Sequence, residues 1–160
     1  MGQLFKTQFR PGWGDVDEDR VLHSAVMWRY FKETEARFYR SLGAPRGDLL
    51  RNLDIWMPRV ETACRFVEPI RYDQLLDMEM AVGDMSDKTI TYIYRVRPPD
   101  SDTCLALGCL RILIVSGSGF RPIAVPQRLR DLLAPYVEPP DGAEAHEAQS
   151  WASPSRQSSG

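Results

Sequence analysis

The stretch WGDVDEDRVLHSAVMWRYF, residues 13–31, sets four carboxylates (Asp15, Asp17, Glu18 and Asp19) immediately ahead of an apolar, helix-like run. The first N–H groups of a helix lack internal acceptors, and the helix dipole favours negative charge at that end. A carboxylate just before such a helix can face a carbonyl held over the helix N-terminus, acting as base toward water or as direct nucleophile, while the N–H groups stabilise the oxyanion. The competing reading is a solvated acidic loop that complements the dipole. Asp15, Glu18 and Asp19 are expected to belong to that second class.

Two further groups could take part. His23 stands at the helix start, where a histidine serves either as an acid or base or as a hydrogen-bonding and packing residue. Glu35 falls at the edge of the helix's apolar face, near Trp28, Phe31 and Leu42. Carboxylates are rarely buried without a reason, and the alternative is an ion pair with Arg37 or with another strand, or simple exposure at the helix border. The histidines are His23 and His146 alone, so no metal site is expected. Cys64, Cys104 and Cys109 read as reduced, mostly buried thiols. The SGSG run at 116–119 has neither the context of a nucleophile elbow nor the lysine of a phosphate loop, and no cofactor is expected.

These residues need elements to hold them. Residues 4–9 are strand-like and are broken by Pro11, Gly12 and Gly14. Residues 24–42 carry Met27, Phe31, Thr34, Phe38 and Leu42 at helical spacing, with Ser24 as N-cap and Gly43 and Pro45 as the stop. After a polar connection come four runs rich in β-branched and aromatic residues, at 55–66, 75–83, 89–97 and 104–115. The DMSDK connection suits an antiparallel hairpin. In 89–97 the face carrying Ile90, Tyr92, Tyr94 and Val96 is greasier than its opposite. PQRLRDLLAPY reads as a short helix between Pro126 and Pro135. The order predicts an α+β domain over residues 1–137, one long helix laid on an antiparallel sheet, and its edge strands call for at least a dimer. Residues 138–160, rich in Pro, Ser, Ala, Gly and Glu, are expected to be disordered.

The chain has 160 residues, 43% of them hydrophobic and 26% charged, which suits one globular domain. A net charge of -2, with the basic residues scattered, argues against nucleic acid. The start MGQLFKTQFRPGWG is unlike a signal peptide, and no stretch reaches the ~20 apolar residues that span a bilayer. A cytoplasmic protein without membrane contact is expected.

The order of elements, WGDVD at 13–17, YFKETEARFYRSLG at 30–43, VEPIRYDQLLDMEM at 67–80 and RPIAVPQRLRDLLAPY at 121–136 together resemble the hotdog-fold thioesterases, in particular the 4-hydroxybenzoyl-CoA thioesterase type. The resemblance covers roughly residues 5–136. It implies a long central helix wrapped by a five-stranded antiparallel sheet, pairing of strands across a homodimer or within a homotetramer, and a site at the subunit interface. It selects Asp17 as the catalytic carboxylate and places the N–H that holds the thioester carbonyl near His23 and Ser24. A related group acting on enediyne polyketides has Asn at this aspartate, so Asp17 implies the carboxylate-dependent mechanism. Two positions depart from the pattern: Arg20 stands where the family often has Gly, and His23 where many members have Tyr or Asn. The family is often basic at position 35, which suggests a charge swap with Arg37.

The implied substrate is an acyl thioester of coenzyme A or of an acyl carrier protein. The segment 121–136, similar to that of small polyketide-associated thioesterases, tilts the expectation toward a polyketide or related acyl group. Trp28, Trp56, Tyr92 and Tyr94 either line an acyl pocket or belong to the core. The alternatives are a non-catalytic acyl-binding protein of the same fold, suggested by Arg20, and a hotdog dehydratase, whose usual His-Phe-Pro segment is absent.

Overall fold

The structure, a computed structural model, describes residues 2–138. Strand β1 (Phe5–Phe9) leads through a loop into helix α1 (Ser24–Ser41), followed by α2 (Arg46–Leu53), β2 (Ile55–Trp56), β3 (Arg59–Phe66), β4 (Leu76–Met85), β5 (Thr89–Arg97), β6 (Ala106–Leu113), β7 (Val115–Ser116) and α3 (Gln127–Leu133). Five strands form one antiparallel sheet in the order β1-β4-β5-β6-β3, so β1 and β3 are its edges. β2 and β7 make a separate two-stranded ribbon.

α1 buries Met27, Phe31, Thr34 and Phe38 against the sheet as the spacing predicts, and it buries Tyr30, Glu35 and Tyr39 as well. Opposite it stand Leu76, Met78, Met80 and Val82 of β4, Ile90, Tyr92, Tyr94 and Val96 of β5, and Leu110 and Ile112 of β6. Each fully buried side chain of this size contributes about 1.5–3 kcal/mol. Gly43, at φ +69°, closes α1 in the left-handed conformation, and its N–H bonds to the carbonyl of Arg40 at 3.0 Å. Gly108 on β6 lies under Phe31, where a Cβ would stand 2.3 Å from Cζ of the ring. Its bare backbone lets Phe31 stack on Tyr94, with centroids 4.4 Å apart.

Several expectations need correction. The polar connection folds as α2, whose Leu49 and Leu50 are buried. The single strand expected at 55–66 splits at Pro58, which has no N–H for a ladder; its carbonyl accepts from Leu113 N at 3.0 Å. The run at 104–115 divides into β6 and β7 around Ile114. Ser24 is the first helical residue instead of the N-cap. That place belongs to His23, whose carbonyl accepts from Val26 N at 3.0 Å. The polar face of β5 is buried as well, its Ile93 joining Leu107 and Cys109 in a second, smaller cluster. Arg95 on that face holds both carboxylate oxygens of Glu138 at 2.8 and 2.9 Å, and Glu138 N donates to the carbonyl of Val82 at 2.8 Å. Glu138 is thereby tied to β4 and β5. The tail expectation otherwise falls on residues outside those described, as does His146. No helix among the described residues is long and apolar enough to cross a membrane.

Candidate functional site

The acidic loop is a small hairpin docked beside α1. Val16 bridges Leu22, Asp17 N donates to the Val21 carbonyl at 3.0 Å, and Arg20 N returns to the Asp17 carbonyl at 2.9 Å. Arg20 adopts φ +60°, a left-handed conformation that costs a residue with a Cβ and that glycine adopts freely. The hairpin is pinned to residues 70–72 by Leu22 N to the Ile70 carbonyl at 2.8 Å and Tyr72 N to the Arg20 carbonyl at 3.1 Å.

Within it Asp17 is exposed, and its Oδ1 accepts from Asp19 N at 3.0 Å and Val21 N at 3.2 Å. These bonds fix the carboxylate's direction and leave Oδ2 without a partner among the described residues. Asp17 and His23 line one open depression of about 700 Å³ together with Val16, Glu18 and Asp19. At its edge α1 begins, and the N–H groups of Ser24 and Ala25 meet no acceptor among the described residues. The arrangement thus sets a fixed carboxylate and an open helix terminus in the same locality.

Asp15 is not the solvated charge expected. Its half-buried carboxylate accepts from Gly12 N and Tyr30 Oη, each at 3.0 Å, and pairs with Arg29, while its carbonyl accepts from His23 N at 2.9 Å. Burial opposes ionisation of Asp15, but the bonds from Gly12 and Tyr30 and the charge of Arg29 outweigh it and hold the carboxyl below its ordinary value. The same neighbourhood, burial first and then the bond to Asp15, pushes the Tyr30 hydroxyl far up. Asp15 is the bolt between the loop and α1, and Asp17 is carried by what it fastens.

Glu35 lies apart from this depression. It is fully buried, with Oε1 accepting from Arg46 Nε at 2.8 Å and Oε2 from Arg59. The strand partner suggested by the sequence is therefore present in Arg59. Arg37 pairs with Glu33 and makes no ion pair with Glu35 among the described residues. Around these groups Tyr39 and Tyr92 share a hydrogen bond, and the Tyr94 hydroxyl is buried without a partner among the described residues. Burial raises the ionisation of Tyr92 and Tyr94 well above the ordinary phenol range. Both tyrosines are core residues and line no cavity among those beside α1 and α2.

Trp28 and Trp56 are not brought together. Trp28 lines a cavity of about 460 Å³ between α1 and β3, with Phe31, Lys32, Arg59, Thr62 and Leu110. Trp56 borders a different one of about 420 Å³ beside α2, with Leu50, Ile55 and Gly117. Lys32, Arg59 and Thr62 were not singled out from the sequence, although Trp28 and Lys32 stand four and eight residues after Ser24, on one helix face. Burial pushes the thiols of Cys64 and Cys109 up to about 12 and about 11, which leaves them unreactive as nucleophiles. Among the described residues no cluster of His, Cys, Asp and Glu is placed to hold a metal ion.

No protein-family model matches the chain. A curated protein of Aquifex aeolicus (strain VF5), whose name provisionally calls it an esterase, is 26% identical over 86 residues, a match spanning 54% of this chain and 66% of that protein. The solved structure of a 1,4-dihydroxy-2-naphthoyl-CoA thioesterase from Synechocystis superposes with a TM-score of 0.74 at 14% identity, covering 82% of this chain and 96% of the other. A gentisyl-coenzyme A thioesterase does so with a TM-score of 0.69 at 19% identity, covering 81% and 99%. The chain therefore shares the fold of these two proteins, a mixed helix and antiparallel-sheet architecture.

Proposed function

We propose that this protein hydrolyses acyl thioesters, with Asp17 as the reacting carboxylate and the N–H groups at the start of α1 as the oxyanion donors. The observation that carries the reading is the fixed Asp17 carboxylate, its Oδ2 open, lining the depression at whose edge the unpaired N–H groups of Ser24 and Ala25 lie. Water adds to the thioester carbonyl while Asp17 takes its proton, or Asp17 attacks first and water resolves the anhydride. The charge that develops on the carbonyl oxygen is met by the helix terminus, where one donor is worth on the order of 3 kcal/mol. The thiolate leaves, is protonated, and a carboxylic acid remains. His23 lines the same depression, where an imidazole could serve as acid or base.

Coenzyme A is the favoured carrier, because the thioesterases of like fold named above act on coenzyme A thioesters; an acyl carrier protein is the alternative. Their aromatic acyl groups suit the Trp28 and Phe31 walls of the neighbouring cavity better than the polyketide suggested by residues 121–136. The likeness to the 4-hydroxybenzoyl-CoA type belongs to the same reading. A homodimer joined through β3 fits its open edge and the exposure of Val60 (50%) and Val67 (55%). Release of free thiol from a panel of aromatic and aliphatic acyl-CoA and acyl-carrier substrates tests the proposal, and no release from any of them refutes it.

A second reading has its own observation: Asp17 caps its own turn through two N–H groups, a structural task that would persist in a non-catalytic acyl-binding protein. Saturable binding of acyl-CoA without thiol release favours that reading.

A further inference from the structure

The cavity between α1 and β3 is apolar along Trp28, Phe31 and Leu110 and cationic at Lys32 and Arg59, with the Thr62 hydroxyl beside them. The charges do not cancel. Arg59 shares the buried Glu35 carboxylate with Arg46, and Lys32 has no carboxylate partner among the described residues. Glu33, the nearest acidic neighbour of Lys32 in sequence, is taken by Arg37, and Glu61 of β3 is taken by Arg111. An apolar pocket with uncompensated cations at one end attracts an anion there, and ammonium and guanidinium groups give carboxylates short, charge-assisted hydrogen bonds.

We propose that this cavity selects acyl groups that end in a carboxylate remote from the thioester, with Lys32 and Arg59 holding that carboxylate. The inference rests on the thioesterase reading for where the other end of the substrate lies. Ser24, Trp28 and Lys32 succeed one another by four residues along α1, so Lys32 stands about 12 Å along the axis from the helix start at a rise of ~1.5 Å per residue. A carbonyl over Ser24 and a carboxylate at Lys32 are spanned by an acyl body lying against Trp28 and Phe31. The walls select for apolar length, and the cations select how it ends.

The test uses matched pairs. Binding of the non-hydrolysable thioethers S-(7-carboxyheptyl)-CoA and S-octyl-CoA is measured by titration calorimetry, and kcat/KM is measured for suberoyl-CoA and octanoyl-CoA. The wild-type protein prefers the carboxyl-ended member of each pair by about tenfold, through charge-assisted hydrogen bonds from Lys32 and Arg59 at the rim of the apolar pocket. Lys32→Met, at an exposed helix position that can change without unfolding the domain, removes most of that preference. Lys88→Met, which deletes the same charge in the β4–β5 turn, leaves it intact. Equal or reversed preference in the wild type overturns the proposal, as does a preference that survives Lys32→Met or falls equally with Lys88→Met. Selective binding of the carboxyl-ended thioether without thiol release from either thioester supports the pocket's specificity while refuting hydrolysis.

Discussion

The Glu35 carboxylate, wholly buried in α1, accepts a hydrogen bond from Arg46 Nε at 2.8 Å and thereby ties the central helix to α2. Its second oxygen ties the same helix to β3 through Arg59. Deleting one member of a buried pair leaves the others uncompensated, at a cost of about 3–5 kcal/mol. Glu35→Gln is therefore expected to lower the denaturant midpoint markedly, with activity following stability. An unchanged midpoint with lost activity would instead assign Glu35 a chemical role.

Asp15 makes a pH-dependent contribution. Its folded carboxyl is held below the ordinary value of 3.8, so its stabilising effect is complete above that value and is lost as pH falls through the folded one. Asp15→Asn is expected to cost about 1–3 kcal/mol at pH 7, and the gap to the wild type should close below about pH 4. Urea titrations at both pH values measure it. A constant gap would mean that the hydrogen-bond geometry matters and the charge does not.

Gly108 leaves room for Phe31, and Gly108→Ala would put a methyl group 2.3 Å from Cζ of the ring. Displacing a buried aromatic costs about 1–3 kcal/mol. Thermal unfolding should show the loss, and because Phe31 also walls the α1–β3 cavity, the KM for acyl thioesters should rise with it.

The parts visible in the sequence were those written in local pattern. The Met27, Phe31, Thr34 and Phe38 spacing of α1, the β5 limits and the Pro126 start of α3 follow from period and punctuation. What was hidden depends on contacts distant in sequence. Asp15 looks like Glu18 and Asp19 along the chain, and its bonds to Arg29 and Tyr30, fourteen and fifteen residues on, distinguish it. Arg59 could not be paired with Glu35 until the sheet order placed β3 within reach of α1. α2 was missed because its eight residues, polar but for Leu49, Leu50 and Leu53, show too few turns for a period to emerge.

β3 has a sheet neighbour on one side alone and exposes Val60 at 50%. A second copy covering this edge should give a dimer in sedimentation velocity, and Val60→Lys, which sets like charges against each other across the two-fold axis, should shift it toward monomer. A monomeric wild-type protein at micromolar concentration contradicts this.

Asp17 carries the central claim, and Asp17→Asn tests it most directly, because the amide oxygen can still cap the turn made with Asp19 and Val21 while the charge and the proton acceptor are gone. The measurement is kcat for thiol release from the best acyl-CoA substrate, with the melting temperature recorded alongside. The expected result is a fall of about 100-fold or more at an unchanged melting temperature. A variant that keeps most of the wild-type kcat would show that the reacting carboxylate is not Asp17.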